Sequence, residues 1–329
     1  WNYPISMLTR KIAPALAAGC TIVLKPAEAT PLCAMAMYKI FEEAGLPAGV
    51  VNLVTAEKPA AIGEEFVSNP KVAKLTFTGS TNVGKMLARE AASNMKRVSM
   101  ELGGHAPFIV FADAGMDHAI KEAIAAKFAT SGQDCLGANR FFVERPVYDE
   151  FCRRFAESTE ALRVGRGVDD PDIGPLMNSA AVEKQKDHVT DAVSKGAMRL
   201  CGGVVVEELG PLFFAPTVLV DVPEGAKILK EETFGPVAAI VPFDTEEEVV
   251  ARANDTEYGL MAYLHTKDPS RIYRMSRSLQ FGMIGVNRTK VTGAPIPFGG
   301  TKQSGLGREG AATGMREFME IKYVCRDWA

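Results

Sequence analysis

None of the six cysteines (Cys20, Cys33, Cys135, Cys152, Cys201, Cys325) stands at C-x-x-C spacing, and the four histidines (His105, His118, His188, His265) lie far apart without ligand-like pairing. Those gaps exclude a zinc-binding or disulfide scaffold. Long hydrophobic runs are also lacking. The longest, Ala13 to Leu24, falls short of the roughly 20 residues a bilayer requires and is interrupted by Pro14, Gly19 and Thr21. Neither sign of charge dominates: 37 Lys and Arg against 40 Asp and Glu leave a net charge of -3. With no basic block and no aromatic-basic stripe, a nucleic-acid partner is not expected. The initiator methionine is missing as well, since the chain opens Trp1-Asn2-Tyr3-Pro4, and the expectation is that an N-terminal part precedes it. Sparse thiols and the lack of a secretion signal point to a reducing, cytoplasmic setting.

What is present fits a globular α/β protein of 329 residues, 47% of them hydrophobic; at roughly 150 residues per domain, two domains are expected. The first hundred residues alternate strand-type and helix-type runs, the pattern of a parallel sheet covered by helices. Thr21 to Leu24 reads as a strand. Thr30 then caps a helix with Pro31 at its first position; Leu32, Met35, Ala36 and Ile40 recur at helical spacing, and Gly45 stops it. Strands follow at Val50 to Val54 and Lys74 to Phe77, with helices at Ala61 to Val67 and Val83 to Ala92. A second α/β region begins with a strand at Pro107 to Phe111 and a helix from Asp117 to about Ala129. It runs on through Ile240-Val241 and Gly282 to Val286, with a helix over Thr245 to Asn254. The glycine-rich stretch Pro297 to Gly310 reads as loop and Glu320 to Val324 as a last strand. No internal repeat and no low-complexity segment occurs.

Two glycine patterns bear on nucleotide binding. Gly79-Ser80-Thr81-Asn82-Val83-Gly84-Lys85 follows a strand and opens a helix, where backbone N–H groups can hold a pyrophosphate. Met86 replaces the Ser/Thr that would hold magnesium, which weighs against a P-loop ATPase despite the strand and acid of Pro107 to Asp113. A turn built on glycine for steric reasons is the competing reading. The G-x-G-x-x-G at Gly305, Gly307 and Gly310 follows no strand and reads as a turn.

The most informative segment is Ser131-Gly132-Gln133-Asp134-Cys135-Leu136-Gly137. It sets one thiol among small and polar residues just after a helix, where access is expected, whereas Cys20 and Cys33 sit in apolar surroundings that suggest inert core positions. Upstream, Glu101 ends a strand before Gly103-Gly104, and carboxyl ends of strands face the ligand crevice in open α/β sheets. A solvated or ion-paired glutamate is the alternative. Asn2 offers an amide donor for an oxyanion, or serves as a turn residue before Pro4.

Taken together, these motifs resemble the NAD(P)-dependent aldehyde dehydrogenases along the whole chain: Trp1-Asn2-Tyr3-Pro4, Lys25-Pro26-Ala27-Glu28, Phe77-Thr78-Gly79-Ser80, Glu101-Leu102-Gly103-Gly104, Gly132-Gln133-Asp134-Cys135, Glu232-Thr233-Phe234-Gly235-Pro236 and Pro297-Phe298-Gly299-Gly300. The resemblance implies a doubly wound Rossmann-type cofactor domain over residues 1–102, a catalytic α/β domain over 103–303, and a return to the cofactor domain with an oligomerisation strand over 304–329. It makes Cys135 the nucleophile, Glu101 the base that activates the hydrolytic water, and Asn2 with the Cys135 N–H the oxyanion donors. Trp1, Lys25, Glu28, Gly79, Ser80, Leu102, Glu232 and Phe234 fall to the cofactor. Glu28 accepts ribose hydroxyls and repels a 2'-phosphate, favouring NAD, while Lys25 would attract that phosphate and leaves NADP open. A homodimer or homotetramer is implied, and no metal.

Within the family the likeness is greatest to succinate-semialdehyde dehydrogenases, through Leu8-Thr9-Arg10-Lys11, Val98 to Phe111 and Lys302 to Gly310. That subgroup grips its substrate carboxylate with two arginines. Arg10 matches the first; the second, six positions before the nucleophile, is Ala129 here. Arg288 and Lys290 are the candidate replacements. The subgroup's second cysteine is Gly137, so no disulfide switch is expected at that pair. The expected reaction is oxidation of a small acidic semialdehyde to its acid. A broad-specificity enzyme for uncharged aldehydes and a non-catalytic binding member are the alternatives.

Overall fold

The computed structural model describes residues 1–328; Ala329, the last residue of the expected 304–329 segment, lies outside them. The chain divides into two compact units, one made of residues 1–101, 292–299 and 305–329, the other of residues 102–291 and 300–304. The first boundary falls at Glu101 and Leu102. That is one residue before the expected boundary, and the last, between Ser304 and Gly305, is one residue after its expected place; residues 292–299, expected in the second domain, belong with the first unit.

In the second unit, seven strands form one sheet in the order Met283–Val286, Met261–His265, Ala106–Val110, Ala138–Glu144, Val237–Phe243, Thr217–Val220, Met198–Cys201. All neighbours are parallel except the last pair. Strands covered on both faces read as unbroken apolar runs, and every residue of Ala106–Val110 is buried. Phe108, Val110, Phe141 and Val143 pack on one face with Ala119, Ala123, Phe151 and Phe155 from the helices Met116–Phe128 and Tyr148–Glu160. Ile109, Phe111 and Phe142 pack on the other with Val182, Val189, Val249 and Met275 from the helices Ser179–Ser194, Glu246–Asn254 and Pro269–Ser278. Thr245 caps its helix through the Glu248 N–H.

The first unit is thinner. Its strands pair in two small sheets: Ile22–Leu24 with Val51–Leu53, and Lys74–Thr78 with Arg97–Glu101 and Gly305–Leu306. The helix Pro31–Glu43 forms where the sequence places it, but Thr30 makes no side-chain cap, and the residues chosen from its periodicity face outward. Leu32 is 74% exposed, Met35 51% and Ile40 61%, while Ala34 and Met37 are buried. Helical spacing fixes which residues share a face but not which face meets the sheet.

Two expectations at the C-terminal end fail. The stretch read as loop contains the strands Thr301–Lys302, antiparallel to Tyr258–Gly259, and Gly305–Leu306, antiparallel to Arg97–Glu101. The Gly305 that looked like part of a turn has no room for a side chain, since a Cβ there would stand 1.8 Å from the Met100 carbonyl oxygen. Glu320 to Val324 forms no strand, and Ile321, Tyr323 and Val324 are exposed. An extended segment needs an unpaired edge to bond to, and the sequence pattern does not supply one.

Candidate active site

In the second unit Cys135 is 9% exposed, buried rather than accessible as the sequence suggested. The reason is the turn that carries it. After the helix Met116–Phe128 the chain passes through Thr130 (φ 51°, ψ 36°), Ser131 (φ 58°, ψ 32°) and Gly132 (φ 72°), three successive left-handed residues. They fold the thiol back into the interior. A Cβ on Gly132 would lie 2.3 Å from the Gly235 carbonyl oxygen, and one on Gly104 2.3 Å from that of Cys135. Asp134 accepts the Leu136 N–H at 3.0 Å, and the Tyr263 hydroxyl donates to the Leu136 carbonyl at 3.0 Å. Cys20 and Cys33 are half-buried, not core residues.

The Gly104 peptide joins the cysteine turn to a second group. Its N–H donates to Glu232 Oε1 at 2.8 Å, and its carbonyl accepts from Asn139 Nδ2 at 3.4 Å. Burial raises the Glu232 carboxyl above its usual range, opposed by that N–H and by Lys184. Behind Asn139 stands Lys127, fully buried, its ammonium donating to Asn139 Oδ1 at 3.2 Å. Burial pushes the Lys127 amine down to about 7. Phe234, next but one to Glu232, is left-handed at φ 48°, and Gln185 Nε2 holds the intervening Thr233 carbonyl at 3.0 Å. Leu102 is tied through its N–H to the Ser304 carbonyl.

The first unit holds the other expected residues. Glu101 ends its strand as the sequence indicates and is 2% exposed, so it is not a solvated glutamate. Its carbonyl accepts the Gly79 N–H at 3.2 Å. Gly79 is fixed sterically, since a Cβ would meet the Phe77 ring at 2.5 Å, and Ser80 caps the helix Thr81–Ala92 through the Val83 N–H. The steric reading of this glycine turn is met. Lys25 pairs with Glu28 and also donates to the Pro26 carbonyl at 2.8 Å. Burial would raise the Glu28 carboxyl, yet the Lys25 hydrogen bond and charge hold it below the usual range. Asn2 Oδ1 accepts the Tyr3 N–H at 3.1 Å, which leaves the NH2 end of the amide as its donor. Trp1 is exposed.

Arg10 stacks its guanidinium 3.8 Å above the Phe298 ring, and its Nη1 is buried without a hydrogen-bond partner among the described residues. In the second unit Ala129 is exposed, as are Arg288 and Lys290. Thr289 between them is pinned to Glu122 Oε2 through its N–H and hydroxyl at 2.5 and 2.7 Å, so its neighbours turn outward. Sequence reading gave no role to Lys127 and Asn139, nor to Lys11, whose ammonium bonds Thr78 Oγ1 at 2.6 Å and pairs with Glu309. A lysine inside the apolar run of a helix was the available signal for Lys127. Among the described residues no cluster is suited to a metal, and no helix is long and apolar enough to cross a membrane.

Residues 1–324 match the aldehyde dehydrogenase family, and the chain belongs to it. It is 50% identical over 326 residues to an Escherichia coli protein named succinate-semialdehyde dehydrogenase NADP(+) GabD, covering 99% of this chain and 67% of that one. A Pseudomonas putida glutarate-semialdehyde dehydrogenase is 48% identical over 326 residues, with coverage of 99% and 67%. The solved structure of the Burkholderia pseudomallei succinate-semialdehyde dehydrogenase superposes with a TM-score of 0.97 at 50% identity, covering 99% of this chain and 67% of that one. The chain thus spans about two thirds of the length of these relatives. Family membership displaces the P-loop ATPase reading.

Proposed function

We propose that this chain carries the NAD(P)-dependent oxidation of an aldehyde to a carboxylic acid, acting on a small acidic semialdehyde such as succinate or glutarate semialdehyde. The observation that carries this reading is Cys135, a thiol set by a strained turn into the interior of a chain about half identical to semialdehyde dehydrogenases. The Cys135 thiolate adds to the aldehyde carbon, and the Asn2 amide and Cys135 N–H stabilise the oxyanion of the resulting thiohemiacetal. A nicotinamide held by these residues would supply the hydride acceptor whose use leaves the acyl group as a thioester on Cys135. Glu101 takes a proton from the water that attacks the thioester, releasing the acid and the thiol. Aldehyde, water and oxidised cofactor become acid, reduced cofactor and one proton.

The residues fit the cofactor. The capped helix start at Ser80 offers N–H groups to a pyrophosphate, Lys25 and Glu28 suit a ribose, and Glu232 with Phe234 suits the nicotinamide end. Because Lys25 already offsets the Glu28 charge, a 2'-phosphate is tolerated, which fits NADP in the names of the relatives. Arg10 receives the substrate carboxylate, its buried unsatisfied Nη1 being the supporting observation. Arg288 and Lys290 assist in place of the arginine that Ala129 lacks. A reducing, cytoplasmic setting and assembly into a homodimer or homotetramer complete the proposal.

Initial rates of NADH and NADPH formation test it, with succinate semialdehyde, glutarate semialdehyde and butanal compared on the full protein and on Cys135→Ser and Arg10→Ala. Cys135→Ser should abolish turnover. Arg10→Ala should raise KM for the semialdehydes by roughly 30-fold or more, as for a lost buried charge partner, and leave butanal unchanged. A preference for butanal in the parent protein favours the broad-specificity reading that Ala129 supports. No fast, cofactor-protected alkylation of Cys135 would favour a non-catalytic member.

A further inference from the structure

Three consecutive left-handed residues, two of them with side chains, do not persist unless their surroundings over-determine them. The surroundings of this turn are specific. Ser131 Oγ donates to the Gly174 carbonyl at 3.1 Å and accepts the Gly174 N–H at 2.9 Å, a reciprocal pair closed by one buried hydroxyl. Two residues on, Gln133 Oε1 accepts the Met177 N–H at 2.8 Å and its Nε2 donates to the Pro175 carbonyl at 3.4 Å. Residues 174–177 therefore grip the turn through two side chains. On the opposite side Gly132 abuts Gly235 and the Cys135 carbonyl abuts Gly104, so the thiol-bearing peptide has little freedom to shift.

We propose that Ser131 is a positioning residue for Cys135: its reciprocal bonds to Gly174 hold the left-handed turn that aims the thiol at the substrate carbonyl. This rests on the reading of Cys135 as the nucleophile. Loss of the hydroxyl leaves the half-buried Gly174 N–H and carbonyl without that partner, and residues 174–177 or the turn must move for them to bond within the protein again. Movement of about 1 Å at a reacting atom can lower a rate by two orders of magnitude. Ser131→Gly separates the clamp from the strain. Glycine adopts φ 58° freely, so this variant removes the hydroxymethyl group while relieving the strain that its Cβ imposes. Ser131→Thr keeps the hydroxyl.

The experiment compares the full protein with Ser131→Gly, Ser131→Thr and Cys135→Ser. It measures kcat and KM for succinate semialdehyde, the alkylation rate of Cys135 by iodoacetamide with the site located by mass spectrometry, and the thermal midpoint. Ser131→Gly should lower kcat about 10- to 100-fold with KM nearly unchanged, and alter the alkylation rate at an undiminished midpoint. Ser131→Thr should restore kcat to within about threefold, since the hydrogen bonds are remade. Parental kcat and alkylation in Ser131→Gly overturn the proposal, as does a fall in midpoint that alone accounts for lost activity. Turnover by Cys135→Ser would instead overturn the nucleophile reading, while the alkylation rates still report whether the clamp orients the thiol.

Discussion

The two units solve the burial problem differently. The second has a seven-stranded sheet covered on both faces, and it encloses groups that solvent would otherwise hold: Lys127, Arg140 and His188 are all buried. The first has two small sheets, few fully buried side chains, and leaves Leu32, Met35, Ile40 and Met95 exposed. Interior in the second unit is abundant enough to absorb charged groups, at an energetic cost that packing offsets. In the first, packing is the scarcer commodity. The expected cofactor residues Lys25, Glu28, Gly79 and Ser80 accordingly rest on local devices, an ion pair, a helix cap and a glycine under a ring. Those around Cys135 rest on interlocked buried contacts.

Substitutions can break or sharpen this contrast. Phe108→Ala, in a second-unit strand buried at every position, should destabilise that unit by about 3 to 5 kcal/mol, read as a lowered denaturant midpoint. A loss below about 1 kcal/mol would show its core to be slack. Lys127→Met comes next and should be stabilising near neutral pH. The native amine sits at about 7 against an ordinary 10.5, so between these values the unfolded chain holds a proton that the native one sheds. Stability therefore rises with pH across that window, and the cost of burying the charge is full below it. Methionine should abolish this slope and add about 2 kcal/mol below pH 7, once the bond to Asn139 is lost. Unfolding at pH 6 and pH 10 measures it. The smallest effect belongs to Leu32→Gln on the exposed face in the first unit, which should change stability by less than about 0.5 kcal/mol. A loss several times larger would mean that this face is covered in the protein in solution.

Much of this was legible in the sequence for identifiable reasons. Ala106–Val110 and Val237–Phe243 announce themselves as apolar runs, and Pro31 and Gly45 bracket a helix by their backbone constraints. Motif order led to the family and to the stretch around Cys135. Burial of Cys135 was not legible, because left-handed angles at Thr130 and Ser131 leave no mark in residue type. Nor was the outward face of Leu32, Met35 and Ile40, since periodicity carries no information about the partner. The pairing of Gly305–Leu306 with Arg97–Glu101 joins segments far apart in sequence, and nothing local encodes it. Asn139 acquires its place only through Lys127 and Gly104, contacts that exist only once the sheet has formed.

That distant pairing also orders events in time. Arg97–Glu101 waits for its antiparallel neighbour until Gly305–Leu306 has been made, roughly 200 residues later, or about 10 to 40 s at ordinary rates of synthesis. By then all strands of the seven-stranded sheet have been synthesised. The second unit has the means to fold before the unit whose sequence flanks it is whole, and the edge that ends at Glu101 stays open on the growing chain throughout that interval.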